Sequence, residues 1–161
     1  MDNSKARCSA FDKAVNLLTF KDRTVKELED KLKEKGYNSG EIDEAIDKLS
    51  YYGYLNDENY ALSYIKDNAS KKGVRLLIKE LQDKGVDKLI IDDVIEEYID
   101  ADTIDENAVI SDIVNRRFNN VNFNDDKVRR RVINYLLRRG FRYDSVKAVL
   151  KKYKGIEFIQ E

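Results

Sequence analysis

The chain has no histidine, no proline and a single cysteine, Cys8. Without histidine, and with one thiol, it cannot build within itself a Cys/His zinc site, a Ser–His–Asp triad, a Cys–His pair or a structural disulfide. Cys8 reads as an inert thiol near a terminus, in keeping with a reducing cytoplasm. No stretch approaches the roughly 20 apolar residues needed to span a bilayer, and residues 1–13 hold no run of signal-peptide length. There is no G-x-x-x-x-G-K-[ST] or G-x-G-x-x-G loop, and Asp57, Asp67 and their neighbours lack EF-hand spacing. The carboxylates have no cooperating base. These absences predict a cytoplasmic protein that is not an enzyme, with no cofactor, no metal and no membrane contact. The lack of proline, with only seven glycines, predicts helices joined by short polar turns.

What is present fits that expectation. At 42% hydrophobic content the 161 residues can form a core, and 38% charged residues is high for a globular chain. Phe11, Val15 and Leu18 fall at helical spacing in a first helix, Phe11 to Phe20. Thr24-Val25-Lys26-Glu27 reads as a capping box opening a second helix, with Val25, Leu28 and Leu32 on one stripe. Lys35-Gly36 ends it, and Asn38-Ser39 starts a third helix that buries Ile42, Ala45, Ile46 and Leu49.

The pattern then recurs. Aligned on Gly36, Gly85 and Gly140, the chain shows Leu28, Leu77 and Val132 eight positions before the glycine and Leu32, Leu81 and Leu136 four before. Lys35, Lys84 and Arg139 stand one before, and Tyr37, Val86 and Phe141 one after. Apolar residues match again at Ile42, Ile91 and Val146; at Ala45, Val94 and Val149; at Ile46, Ile95 and Leu150; and at Leu49, Tyr98 and Tyr153. Such register predicts an all-α protein of three tandem three-helix-bundle repeats, helix-turn-helix-like in form. Because bundles of about 45 residues bury too little surface to stand alone, the repeats should dock into an elongated, curved array. The expected boundaries are 1–53, 54–102 and 103–161. First helices are expected at Asp57 to Ser70 and Asp105 to Arg117, an acidic linker at Asp100 to Ile104, and an Asn-rich loop at Asn119 to Asn124.

The joint between repeats one and two is Gly53-Tyr54-Leu55-Asn56-Asp57-Glu58-Asn59-Tyr60-Ala61. Gly53 ends one helix. Asn56 caps the next, with Asp57 and Glu58 in its first turn. Tyr54 and Leu55 are too apolar for a free linker and are expected to plug the seam, setting the angle between repeats together with Tyr60. The cluster Tyr51, Tyr52, Tyr54, Tyr60 and Tyr64 reads as packing in preference to a stacking platform for bases.

Charge is segregated. Residues 83–112 carry 11 acids against 2 bases, a net −9, and residues 125–154 carry 11 bases against 3 acids, a net +8. The acidic block reads as a solvated helical face as readily as a site. The basic block is rich in arginine, which grips phosphate and carboxylate bidentately, so it reads as a binding surface for nucleic acid or an acidic protein face. Its candidate contacts are Arg129, Arg130, Arg131, Arg138, Arg139, Lys147 and Lys151. A lesser group, Lys71, Lys72 and Arg75, opens the second helix of repeat two.

These motifs resemble the RecX family of RecA regulators, from Ala10 to Tyr153. Thr24-Val25-Lys26-Glu27-Leu28, Lys31-Leu32 and Lys35-Gly36-Tyr37 are similar to the family's S-x-x-E-L…K-L…K-G-[FY]. Gly53 to Asp57 with Tyr60-Ala61 is similar to its G-Y-[LI]-[DN]-D-x-x-[FY]-A. Lys72-Gly73, Ile78, Glu80-Leu81 and Lys84-Gly85-Val86 form a third element. Repeat three matches more loosely, and Asn68 stands where the family often has Arg. The resemblance implies a monomeric, non-enzymatic modulator. It would bind the RecA nucleoprotein filament along its helical groove, suppress its ATPase, strand exchange and co-protease activity, and touch DNA weakly at most. A direct helix-turn-helix reader of nucleic acid acting through repeat three is the alternative.

Overall fold

A computed structural model describes residues 8–100 and 105–153. Residues 101–104 of the expected acidic linker, and Lys154, lie outside them. The described residues form nine α-helices: α1 (Ala10–Phe20), α2 (Val25–Glu34), α3 (Ser39–Tyr51), α4 (Asp57–Asn68), α5 (Val74–Asp83), α6 (Lys88–Asp100), α7 (Glu106–Arg117), α8 (Asp126–Arg138) and α9 (Tyr143–Lys151).

Local chemistry accounts for the ends. In α2 the Thr24 hydroxyl accepts the Glu27 N–H at 3.1 Å, and the Glu27 carboxylate accepts the Thr24 N–H at 3.3 Å. Asn38 and Glu41 make the same reciprocal pair at the start of α3, at 3.0 and 2.8 Å. Asn56 caps α4 through the Asn59 N–H at 2.9 Å, and Asp125 caps α8 through the Lys127 N–H at 2.7 Å. Each cap satisfies an N–H that helical geometry leaves unpaired. Gly36, Gly53, Gly85 and Gly140 adopt φ between 74° and 84°, the left-handed turn that closes a helix without a Cβ penalty.

The aligned positions are the core. In the first repeat, Leu28, Leu32, Tyr37, Ile42, Ala45 and Leu49 are buried together with Leu55. In the third, Val132, Leu136, Phe141, Val146, Val149 and Leu150 are buried with Ile110, Val114, Phe118 and Phe123. Leu77, Leu81, Val86, Ile91, Val94 and Ile95 are buried at the matching places of the second. Phe123 comes from the Asn-rich loop between α7 and α8 and stacks at 5.3 Å on Tyr153. That insertion is therefore anchored by its one aromatic.

The inner stripe of α1 differs from expectation. Ala10 and Ala14 are buried, Phe11, Leu17 and Leu18 lie at the margin, and Val15 is 38% exposed. Helix α1 packs mainly on α3, and Val15, next to the buried Ala14, falls on its outer side.

The described residues divide into two compact units, and the division runs through the second repeat. Residues up to Ser63 with Leu81–Ile91 form one, and Tyr64–Glu80 with the residues from Asp92 onward form the other. Each unit contains one junction of the same design. In the first unit the Thr24 hydroxyl, at the start of α2, donates to the Lys84 carbonyl at the end of α5 (2.6 Å), and the Lys84 ammonium reaches Glu27 at 3.1 Å. In the second the Gly73 N–H, at the start of α5, donates to the Arg139 carbonyl at the end of α8 (2.8 Å). In both, the N-terminus of one second helix meets the closing turn of another, so opposite helix-dipole ends face each other.

Candidate interaction surface

On α8 the side chains divide by helical phase. Val132 and Leu136 point inward. Lys127, Arg130, Arg131 and Arg138 are exposed and fall on the opposite side of the helix wheel, with Asn134 among them. On α9, Lys147 and Lys151 are exposed and one turn apart. No ordered carboxylate pairs with Arg130, Arg131 or Arg138 among the ion pairs of the described residues. This face can engage phosphate or carboxylate groups by bidentate, charge-assisted hydrogen bonds.

Other predicted contacts have partners within the fold. Arg129 pairs with Asp126 one turn away, and its guanidinium also donates to the Phe123 carbonyl at 3.3 Å. It thereby pins the Asn-rich loop to α8. Arg139 lies over the Tyr135 ring at 5.2 Å and donates to the Lys71 carbonyl at 3.3 Å. Its own carbonyl receives Gly73, so it is part of a junction. Lys72 is half-buried between Glu80, at 2.8 Å, and the Tyr64 hydroxyl, at 3.3 Å, while that hydroxyl donates to Glu80 at 2.7 Å. Burial acts to lower the Lys72 ammonium, but its bonds to Glu80 and Tyr64 outweigh this and hold it above its ordinary value. Lys71 and Arg75 remain exposed. Lys72 thus differs from Lys71 and Arg75 in having a partner within the fold, and charge alone does not reveal a partner eight residues away. Asn68 spends its amide on the Tyr64 carbonyl at 2.8 Å.

At the joint, Leu55 is buried in the first core, as an apolar plug would be. Tyr54 is not: it is 70% exposed. The turn at Gly53 directs Leu55 inward and leaves its neighbour in solvent. Tyr51 and Tyr52 are also exposed, at 86% and 63%, which corrects the packing expected of these three rings. Tyr60 and Tyr64 are half-buried, Tyr60 with the Lys84 ammonium over its ring at 5.9 Å. Asp57 does more than begin α4. Its carboxylate accepts the Val25 N–H at 2.8 Å, tying the start of α4 to the start of α2. Desolvation raises its pKa, against the lowering effect of the Val25 bond.

Two long-range contacts, made by Thr24 and Gly73, were not foreseen from the sequence. Thr24 is buried and its hydroxyl works twice, accepting within α2 and donating to Lys84. Gly73 sits where an added Cβ would lie 2.3 Å from the Gly140 carbonyl carbon and oxygen. Their partners are 60 or more residues away, beyond the reach of local pattern.

Family models agree with this architecture. Residues 10–49 match the first three-helix domain of RecX, residues 56–95 the second, and residues 105–150 the third. The regulatory protein RecX of Clostridium botulinum (strain Alaska E43 / Type E3) is 32% identical over 97% of this chain and 74% of its own length. That of Finegoldia magna is 34% identical over 89% of this chain and 71% of its own. A crystal structure of RecX from Lactobacillus salivarius superposes with a TM-score of 0.72 at 27% identity, covering 89% of this chain and 94% of that one. A second RecX regulatory protein structure, at 23% identity, shares the fold with a TM-score of 0.73. With three matching domains in order and relatives aligned over most of their length, the chain belongs to the RecX family of regulatory proteins.

Proposed function

We propose that this protein is a negative modulator of RecA that binds the RecA–DNA filament along its helical groove and suppresses ATPase, strand exchange and co-protease activity. The observation that carries the reading is the match of all three domains to a family whose members are named regulatory proteins. The exposed α8 face supplies the chemistry: Arg130, Arg131 and Arg138, supported by Lys147 and Lys151, meet acidic protein surface or phosphate of the filament. Lys71 and Arg75 add a second cationic point. The protein acts as a cytoplasmic monomer by occupancy, with no reaction and no cofactor of its own, and its repeats span 1–53, 54–102 and 103–161. Leu55, Asp57 and Tyr60 hold the joint between the first two repeats.

The test is the DNA-dependent ATPase of RecA at low salt, with co-sedimentation on filaments. Suppression that weakens in the Arg130→Glu/Arg131→Glu variant supports the reading. An unchanged ATPase with excess protein, together with no co-sedimentation, removes it. The solvent-facing arginines of α8 also favour a second reading, direct binding of nucleic acid through repeat three. That reading requires tight binding to bare DNA with a steep salt dependence, whereas a filament modulator prefers the filament.

A further inference from the structure

Tyr51, Tyr52 and Tyr54 form a contiguous aromatic group that the described residues leave facing solvent. Tyr51 and Tyr52 meet edge to face at 5.4 Å, and Tyr52 and Tyr54 lie at 6.4 Å. Their backbone is fixed. The Tyr54 and Leu55 N–H groups both donate to the Leu49 carbonyl, at 2.9 and 3.3 Å, and Leu55 is anchored in the core. Rings held this way lose little freedom on binding, which is how tyrosines come to dominate protein interfaces. Tyr52 also walls a groove of about 420 Å3 between α1 and α3, lined by Ala45, Phe11, Glu41, Glu44 and Lys48.

The surrounding charge identifies the occupant. Helix α3 carries Glu41, Asp43, Glu44 and Asp47 against one lysine, Lys48, which is itself paired with Glu44 at 2.6 Å. Asp47 stands one turn before Tyr51. Carboxylates beside the rings repel a phosphate backbone and attract cations, while tyrosine faces accept guanidinium and ammonium groups. We infer that the Tyr51–Tyr52–Tyr54 group and the α1–α3 groove form a docking surface for a protein segment that presents arginine or lysine among apolar side chains. This surface is separate in residues and opposite in charge to the basic face of α8. It does not depend on the RecA reading.

The test uses the full chain and three fluorescein-labelled probes: a peptide alternating arginine and leucine, its glutamate–leucine counterpart, and oligo(dT). Fluorescence anisotropy compares wild type with Tyr51→Ser/Tyr54→Ser and with Asp43→Lys/Asp47→Lys. All four positions are exposed, so thermal midpoints should match wild type. The arginine–leucine peptide should bind wild type about tenfold more tightly than either variant, the usual scale for losing interface tyrosines. Oligo(dT) binding should not fall in the tyrosine variant, and the glutamate–leucine peptide should bind no variant less than wild type. Equal affinity of all three proteins for the arginine–leucine peptide overturns the inference. So does a loss of oligo(dT) binding on removing the tyrosines, which would make the surface a base-stacking platform.

Discussion

Replacing single glycines with alanine separates two costs that the junctions combine. Gly36, Gly85 and Gly140 have almost the same backbone, with φ of 81°, 80° and 84°. The left-handed conformation therefore charges each alanine alike, about 1–2 kcal/mol. What differs is the space. An added Cβ at Gly36 meets nothing within 4 Å, whereas at Gly140 it would lie 2.4 Å from the Leu76 nitrogen and 2.9 Å from its Cα. Ordinary contact needs about 1 Å more. The obstacle is backbone, so the start of α5 must retreat from α8 and stretch the 2.8 Å bond from Gly73 to the Arg139 carbonyl. Losing a buried hydrogen bond costs about 1–3 kcal/mol and the overpacking a similar amount. Gly36→Ala should thus cost about 1–2 kcal/mol and Gly140→Ala about 3–8 kcal/mol. Gly85→Ala should exceed Gly36→Ala, because its Cβ would lie 2.4 Å from that of Lys26. Gly73→Ala supplies the steric cost alone, since its φ is not in the left-handed region. Urea unfolding followed by circular dichroism at 222 nm measures all four. Equal losses at Gly36 and Gly140, or a neutral Gly73→Ala, would refute the junction as described.

Leu55→Asp places a charge in the first core and should cost about 3 kcal/mol or more, whereas Tyr54→Ser should stay within about 0.5 kcal/mol, both read from thermal or urea midpoints. Lys72→Ala should lower stability by about 1 kcal/mol through the lost Lys72–Glu80 ion pair, yet leave filament co-sedimentation unchanged; Arg131→Glu should do the reverse. Asp57 supplies a pH test. Its carboxyl is raised above the ordinary value of 3.8, so the folded state holds the proton more tightly than the unfolded chain. Its contribution is fully present below that value and is lost as pH rises through the raised one. Asp57→Asn keeps an acceptor for the Val25 N–H but cannot ionise. Its stability relative to wild type should therefore climb as pH rises through the weakly acid range, then level off. A pH-independent difference would show that the carboxyl is not desolvated.

Helix limits and the three-fold repeat were legible because their causes are local. Capping boxes, left-handed glycines and apolar spacing all act within a few turns. Register within α1 was less so, because Ala10 and Ala14 carry little hydrophobic weight and their burial depends on how closely α3 approaches. The candidate site was half legible. Composition located the cations but not their partners: Arg129, Arg139 and Lys72 are held by Asp126, Tyr135 and Glu80, while Arg130, Arg131 and Arg138 face solvent. Tyr54 and Leu55 look equally buriable in sequence. Only the turn at Gly53 decides which one goes inside.

The recurring junction has a consequence for dissecting this protein. Sequence repeats invite cutting at repeat boundaries, but the compact units do not respect them. A fragment ending at residue 53 would lose Leu55 from its core, Asp57 from the Val25 N–H, and Lys84 from both Thr24 and Glu27. A fragment beginning at residue 105 would strip Gly73 and Leu76 from the closing turn of α8. Each would present a raw helix end, and its instability would be misread as a failure of the domain itself. Fragments that carry the neighbouring helix end across the cut are the ones that should fold, and the grammar of the repeat is then one helix longer than its period.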